Sequence, residues 1–242
     1  MRSCKWWSVS SSTFAALLLW ASTTSAAVNI DRTRLIFAAS DKVQSLNLSN
    51  DGDTPMLIQA WTDNGDVDSS PDTSQTPIVV VPPVLRMLPG ELRALRLMLS
   101  TRSQLATDRE SQVWLNVYQI PPNTQATQNG ARKVILPLRL RLKVFIRPDG
   151  LASPTENDEQ QLRFTAEGQT LRIENPTPWF MSLTVHPGKQ KELGGLMVAP
   201  KAWLAVPLSA PLAAGEMMRY DVITDSGNTR SHSLIYGHEK ER

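Results

Sequence analysis

Cysteine, histidine and aromatic residues are scarce in this chain of 242 residues, and the scarcity of the first two excludes classes of functional site. The one cysteine, Cys4, precedes the first apolar run, and aromatic residues make up only 6% of the sequence. A lone cysteine forms no internal disulfide and no thiolate zinc site. The three histidines, His186, His232 and His238, lack the spacing of a metal site. We therefore expect no metal and no cofactor.

Long hydrophobic runs are also missing. A transmembrane helix needs about 20 consecutive apolar residues, and no segment of the sequence reaches that length. The most apolar segment, Phe14–Trp20, follows a short basic start with Arg2 and Lys5 and precedes small residues. This order is typical of a secretory signal peptide. We expect residues 1–26 to be a signal peptide and the mature protein not to be membrane-embedded, with a membrane anchor as the less compatible alternative.

Neither sign of charge is in excess. The chain has 25 basic and 23 acidic residues, and losing Arg2 and Lys5 with the signal peptide leaves 23 of each. A nucleic-acid-binding protein shows a strong basic excess. We expect no nucleic-acid partner.

Helical periodicity is nearly absent, and short apolar runs bounded by Pro, Gly, Asn and Asp take its place. Seven strands are predicted before residue 147: Val28–Phe37, Val43–Asn50, Met56–Thr62, Pro77–Val81, Leu92–Ser100, Gln112–Ile120 and Arg132–Ile146. Seven strands in about 120 residues are typical of an immunoglobulin-like sandwich.

A segment punctuated by proline and glycine, Arg147–Pro154, predicts a domain boundary after the longest strand. Further short strands are predicted beyond it: Gln161–Ala166, Gln169–Glu174, Trp179–Val185, Leu196–Val198, Ala202–Pro207, Met218–Thr224 and Ser231–Tyr236. The expected fold is all-β, with two immunoglobulin-like sandwich domains at residues 27–147 and 148–242.

The strand predicted at Arg132–Ile146 carries an unusual row of apolar side chains. Its alternation places Val134, Leu136, Leu138, Leu140 and Leu142 on one face and the basic residues Arg139, Arg141 and Lys143 on the other. Pro137 cannot donate to a ladder, so the strand is predicted to be an edge strand. Two interpretations stay open: the leucines fill the sandwich core, or a partner completes its own sheet with this edge.

Five stretches of this sequence resemble the periplasmic fimbrial chaperones of the PapD-like family, which serve chaperone–usher pilus assembly. They are Ala27–Arg34, Pro82–Gly90, Asp108–Pro122, Leu140–Pro148 and Arg172–Trp179. The short segment Pro121–Gly130 resembles the short-loop branch of the family. Gln112 departs from the family pattern, and the second domain has no cysteine pair, so the resemblance is weaker at both points.

The resemblance implies two domains in a boomerang with a cleft between them. It assigns Arg34 and Lys143 to the C-terminal carboxylate of a pilin subunit. It assigns Val134, Leu136, Leu138 and Leu140 to a donor strand that fills the pilin groove. It places Glu110, Arg147 and Asp225 in a charge network between the domains.

The function implied by the resemblance is that of a periplasmic chaperone that binds pilin subunits and delivers them to an outer-membrane usher. The resemblance also implies that the protein is not an enzyme. The exposed leucine edge suggests that the free protein forms a self-capping dimer. Two alternatives stay open. A secreted adhesin or carbohydrate-binding protein would need an exposed tryptophan pair, whereas Trp61, Trp114, Trp179 and Trp203 have the spacing of core residues. An enzyme would need His186 or His232 to titrate in a pocket beside a carboxylate.

Overall fold

The computed structural model describes residues 28–122 and 136–237. The predicted signal peptide, Val134 and most of the Pro121–Gly130 segment lie outside the described residues. None of the described residues belongs to a helix long and apolar enough to cross a membrane.

Nine strands precede residue 147: β1 (Asn29–Ile30), β2 (Arg34–Phe37), β3 (Val43–Ser49), β4 (Met56–Asp63), β5 (Ile78–Val81), β6 (Val84–Met87), β7 (Leu92–Leu99), β8 (Ser111–Ile120) and β9 (Leu138–Ile146). They form a four-stranded sheet in the order β1-β3-β7-β5 and a five-stranded sheet in the order β2-β9-β8-β4-β6. A single turn of 3₁₀ helix, Pro71–Thr73, follows β4.

The second half begins with a one-turn helix, α1 (Glu156–Glu159), and continues with β10 (Arg163–Glu167), β11 (Thr170–Asn175), β12 (Met181–Pro187), β13 (Leu193–Val198), β14 (Ala202–Pro207), β15 (Met217–Ile223) and β16 (Thr229–Ile235). They form a three-stranded sheet in the order β10-β11-β14 and a four-stranded sheet in the order β13-β12-β15-β16.

Period-two alternation explains why each pair of sheets packs into a sandwich. On β7 and β8 the inward positions Leu95, Leu97, Leu115 and Val117 are fully buried, while Arg96, between the first two, is exposed. The buried apolar residues fall into two separate clusters, one for each half of the chain. The prediction of an all-β fold with two immunoglobulin-like sandwiches is therefore confirmed.

Two strand predictions in the first domain were wrong in detail. The run Val28–Phe37 forms two strands, because the chain leaves the four-stranded sheet after Ile30 and joins the other sheet at Arg34. The strand β6 was not predicted, because prolines stand directly before it. It pairs with β4 at the far edge of the five-stranded sheet.

The prediction that the leucine-rich strand lies at an edge is correct for only half of its described length. The residues from Lys143 to Ile146 lie between β8 and β2, which runs parallel to β9. Because β2 begins at Arg34, opposite Lys143, Leu138–Leu142 pairs with β8 alone among the described residues. Its other edge therefore offers unpaired backbone groups.

Candidate functional site

Two cations meet where the open half of β9 ends. Arg34 is the first residue of β2, and the parallel register sets it directly opposite Lys143 of β9. Paired residues on neighbouring strands share a face of the sheet. Both side chains reach the outer face, where the Arg34 guanidinium lies 5.9 Å from the Phe145 ring centre and the Lys143 ammonium lies 5.8 Å from that of Trp114.

The second domain holds both cations through neutral groups. Arg34 Nη1 donates to the carbonyl oxygen of Ile223 at 2.9 Å, and Lys143 Nζ donates to Ser182 Oγ at 2.9 Å. Among the described residues neither cation forms an ion pair within 4.0 Å, and Arg34 Nε is buried without a hydrogen-bond partner. A buried donor of this kind costs about 1–3 kcal/mol unless an acceptor reaches it. The arrangement is suited to a carboxylate.

Burial lowers the pKa values of both cations, so a bound anion would change them. Desolvation, helped by the nearby charge of Arg34, lowers the pKa of Lys143 to about 8. Desolvation also lowers the pKa of Arg34, against the attraction of Asp225 and Glu110. An anion bound between these cations would reverse both shifts, because an opposite charge favours the charged form.

The leucine row changes from core to surface along β9. Leu142 is buried, and Leu140 is half-buried and packs against the core. Leu138 is 49% exposed and Leu136, just before the strand, is 77% exposed. The core interpretation therefore holds for Leu142, while the outer leucines extend beyond the sandwich.

The predicted interdomain residues Glu110, Arg147 and Asp225 lie in contact. Arg147 Nε donates to Glu110 Oε1 at 2.9 Å, and its two terminal nitrogens donate to the Asp225 carboxylate at 2.7 and 2.8 Å. The Arg147 and Glu110 side chains are almost fully buried, whereas the Asp225 side chain is about a third exposed.

The pKa values of the two acids respond differently to burial. Desolvation raises the pKa of Glu110 more than Arg147 lowers it. For Asp225, desolvation also acts upward, but the hydrogen bonds and charge of Arg147 outweigh it and lower the pKa.

Backbone contacts complete this interface. Glu110 Oε2 accepts a hydrogen bond from the backbone N–H of Phe180, and the N–H of Glu110 donates to the Pro178 carbonyl. The Phe180 ring packs 5.7 Å from that of Phe145. The two domains therefore meet through buried polar and aromatic contacts beside the two cations.

Two further site residues could not be found from the sequence. Ser182 and Ile223 contact the cations from the second domain, 39 and 189 residues away along the chain. A backbone carbonyl leaves no mark in a sequence, and a lone serine in a strand is too common to signal a site.

Of the four tryptophans that the sequence assigns to the core, Trp179 packs against the core of the second domain and Trp61 is buried. Trp61 and Trp114 lie on the outer face of the five-stranded sheet, each beneath an arginine guanidinium. Trp203 is 57% exposed because alternation on β14 points Leu204 and Val206 inward instead. Among the described tryptophans it is the only one more than half exposed, so no exposed pair forms the aromatic platform that an adhesin would need.

An enzyme would need His186 or His232 in a pocket beside a carboxylate, and both histidines do lie beside one. His186 Nε2 lies 2.8 Å from Asp221 Oδ2, and His232 Nε2 lies 2.8 Å from Glu159 Oε2. In the first group Ser231 Oγ donates to Asp221, which puts the acid between serine and histidine, whereas a catalytic triad needs the histidine in the middle. His232 is buried. Among residues 28–122 and 136–237 no three metal-ligating side chains cluster.

Comparison with known proteins covers both halves of the chain. Residues 27–152 match the family described as "Pili and flagellar-assembly chaperone, PapD N-terminal domain". Residues 157–234 match "Pili assembly chaperone PapD, C-terminal domain". The two matches divide the chain within the connection between β9 and β10.

Individual relatives agree over most of the chain. Chaperone protein MrkB of Klebsiella pneumoniae is 33% identical over 202 residues, which span 82% of this chain and 86% of MrkB. Chaperone protein HifB of Haemophilus influenzae is 32% identical over 92% of each chain. A chain in the solved structure of the Salmonella enterica SafA pilin in complex with the SafB chaperone matches with a TM-score of 0.74 and 27% identity, over 86% of this chain and 95% of that one.

Proposed function

Because this chain belongs to the PapD-like family of pilus assembly chaperones, which are not enzymes, we propose that it captures pilin subunits through the open edge of β9 and the two cations at its end. The observation that carries the proposal is the position of Arg34. It begins β2 at the point where the edge of β9 closes, and it retains a buried donor without a partner.

The direction of the bound strand follows from this geometry. A strand that pairs with Leu138–Leu142 on the open edge must stop where β2 begins, because both occupy the same side of β9. If its C-terminal carboxylate lies between Arg34 and Lys143, the strand runs in the same direction as β9. Arginine suits this end because its planar guanidinium can offer paired donors to a carboxylate.

The leucine row supplies most of the binding free energy in this proposal. Leu136 and Leu138 are exposed and Leu140 is half-buried, so a partner groove can cover them. Fully burying one such side chain is worth about 1.5–3 kcal/mol. The assigned donor Val134 lies outside the described residues and continues the same alternation in sequence. The row provides affinity, and the two cations fix the register of the pairing.

Periplasmic location and delivery to an outer-membrane usher are part of the same proposal. The signal-peptide pattern of residues 1–26 supports export, as does the start of the family match at Ala27. Release by exchange of one strand for another needs no nucleotide. The open edge also gives the free protein a surface that a second copy could cover as a self-capping dimer.

The test uses a synthetic peptide of alternating apolar residues with a free C-terminal carboxylate, and its C-terminal amide as the matched control. Calorimetric titration with the purified protein is expected to show binding of the acid and at least about tenfold weaker binding of the amide, since the amide loses a charge-assisted contact. Equal affinity for the two peptides would contradict the carboxylate site. A periplasmic pull-down with mass spectrometry then identifies the natural pilin.

We expect binding of this acid peptide to weaken above pH 8. The free Lys143 has a pKa of about 8, and a bound carboxylate raises it, so binding above pH 8 requires uptake of a proton. Affinity is therefore full below pH 8 and is lost as the pH rises, by about tenfold between pH 7 and pH 9. Titrations of a Lys143→Arg variant should be flat over this range, because arginine stays charged.

The buried network of Glu110, Arg147 and Asp225 is assigned to holding the domain orientation. We expect Arg147→Ala to lower the free energy of unfolding by about 3–5 kcal/mol, because it leaves the Glu110 carboxylate buried without its cation. Differential scanning calorimetry should show a lower melting temperature and separate transitions for the two domains.

The control for this prediction is Arg163→Ala, which removes an exposed pair with Glu174. Such pairs contribute about 0–1 kcal/mol. If Arg147→Ala melts like this control, with the domains still unfolding together, the assigned role is wrong.

A further inference from the structure

The open half of β9 needs support that its own ladder does not give. Within the part of the chain that the structure describes, Leu138–Leu142 pairs with β8 alone, and Leu138 is half exposed rather than anchored in the core. A strand held at one edge and weakly buried on its inner face is prone to local opening. The remaining face is the outer one, which carries Arg139 and Arg141.

Both arginines are fixed on that outer face. Arg139 donates to Asn116 Oδ1 at 2.8 Å, to the Val67 carbonyl at 2.7 Å and to Ser69 Oγ at 3.1 Å. Arg141 donates to Asp63 Oδ1 at 2.7 Å. The guanidinium groups also stack over tryptophans of β4 and β8, with centroid distances of 4.7 and 4.9 Å. Such contacts with aromatic rings add to the hydrogen bonds.

One buried carboxylate connects these contacts. Asp63, at the end of β4, is 3% exposed, and besides Arg141 it accepts hydrogen bonds from Asn116 Nδ2 at 2.6 Å, from the Gly65 N–H at 2.7 Å and from Ser69 Oγ at 3.1 Å. The two side chains that accept from Arg139 are thus themselves bound to Asp63. We call Asp63, Ser69, Asn116, Arg139 and Arg141 the Asp63 cluster.

The cluster keeps the Asp63 carboxylate charged. Burial acts to raise its pKa, but the hydrogen bonds from Asn116, Gly65 and Ser69 and the charge of Arg141 outweigh it and lower the pKa. An ionised carboxylate with several donors holds its partners more strongly than a neutral acceptor does.

We propose that Asp63 is a positioning residue that holds the open half of β9 flat against β8, so that the edge and its leucines are already in strand form before a pilin arrives. The inference rests on the proposed function for its role in capture. An edge that is ordered in advance avoids the entropy cost of ordering during binding, so association is faster and tighter.

The first experiment needs no partner. Hydrogen exchange of the free protein is measured for those amides of Leu138–Leu142 that donate to β8, in the wild type and in Asp63→Asn. The substitution removes the charge that holds Arg141, so we expect exchange there to rise at least about tenfold, with β15 and β16 unchanged. The matched control is Asp31→Asn, which removes another multiply bonded carboxylate of the same domain that does not contact β9.

A second variant guards against general misfolding. Arg141→Met keeps much of the side-chain volume but removes the cation, and it should raise exchange over the same segment. Combining it with Asp63→Asn should add little further, because both changes break the same contact. Unchanged exchange at Leu138–Leu142, or an increase spread evenly over the first domain, would overturn the inference.

The second experiment links the cluster to capture. Association of the acid peptide is followed by stopped flow, and Asp63→Asn should slow it by the factor by which the ordered fraction of Leu138–Leu142, taken from the exchange rates, falls, while Asp31→Asn leaves it unchanged. A fall in the ordered fraction with an unchanged association rate would overturn the role in capture. If the wild-type protein does not bind the peptide, the proposed function fails, and the exchange data alone decide whether Asp63 orders the strand.

Discussion

Replacing both Arg34 and Lys143 with alanine is expected to abolish pilin capture while the protein stays folded. Each cation is held by one neutral hydrogen bond from the second domain, so its removal leaves no buried charge without a counterion. In the complex each would contribute a charged hydrogen bond worth about 1.5–3 kcal/mol. Losing both therefore weakens binding roughly a hundred-fold to ten-thousand-fold.

The measurement is a titration with the acid peptide, beside a pull-down of the natural pilin. The matched control replaces two exposed cations of the second domain, Arg163 and Lys191, which changes the net charge equally without touching the site. Circular dichroism and thermal melting should not separate the two double variants from the wild type by more than a few degrees. If the Arg34 and Lys143 variant binds pilin as the wild type does, the anchor assignment is wrong even though the family is right.

The alternation of side chains along β9 could be predicted from the sequence, but the point where the core ends could not. Period-two patterning places Leu138 and Leu142 on the same face, and both lie in β9. One is buried and the other is exposed because neighbouring strands cover only part of β9, with β2 beginning at Arg34. The extent of a neighbouring strand is a tertiary property, so the pattern alone left the core and partner interpretations open.

The polar partners of the basic residues were equally hidden. Arg139 and Arg141 look like solvated surface charges in the sequence, yet their acceptors lie on β4, on β8 and in the loop after β4, more than 20 residues away. The same holds for Arg147, whose burial makes its ion pairs costly to break rather than weak. A sequence shows which residues can pair, while burial determines how much a pair matters.

Replacing Leu136 with aspartate should remove pilin binding as completely as removal of both cations. Leu136 is 77% exposed in the free protein, so the substitution costs little stability. In the complex it loses about 1.5–3 kcal/mol of apolar burial and also places a carboxylate in an apolar groove, which costs several kcal/mol more. We expect at least about a thousand-fold loss of affinity in the same peptide titration.

Leu92→Asp is the matched control for this variant, because Leu92 is 75% exposed on β7 and belongs to the other sheet of the same domain. It should bind the peptide normally, while Arg139→Ala should show a partial loss, since Arg139 supports the strand from its outer face without entering the pilin groove. Equal losses in Leu136→Asp and Arg139→Ala would contradict the donor-strand assignment. Sedimentation of the free variants tests whether this edge forms a self-capping dimer. If it does, Leu136→Asp should be monomeric and Leu92→Asp should still dimerise, because only Leu136→Asp places a charge in the leucine row that the dimer would bury.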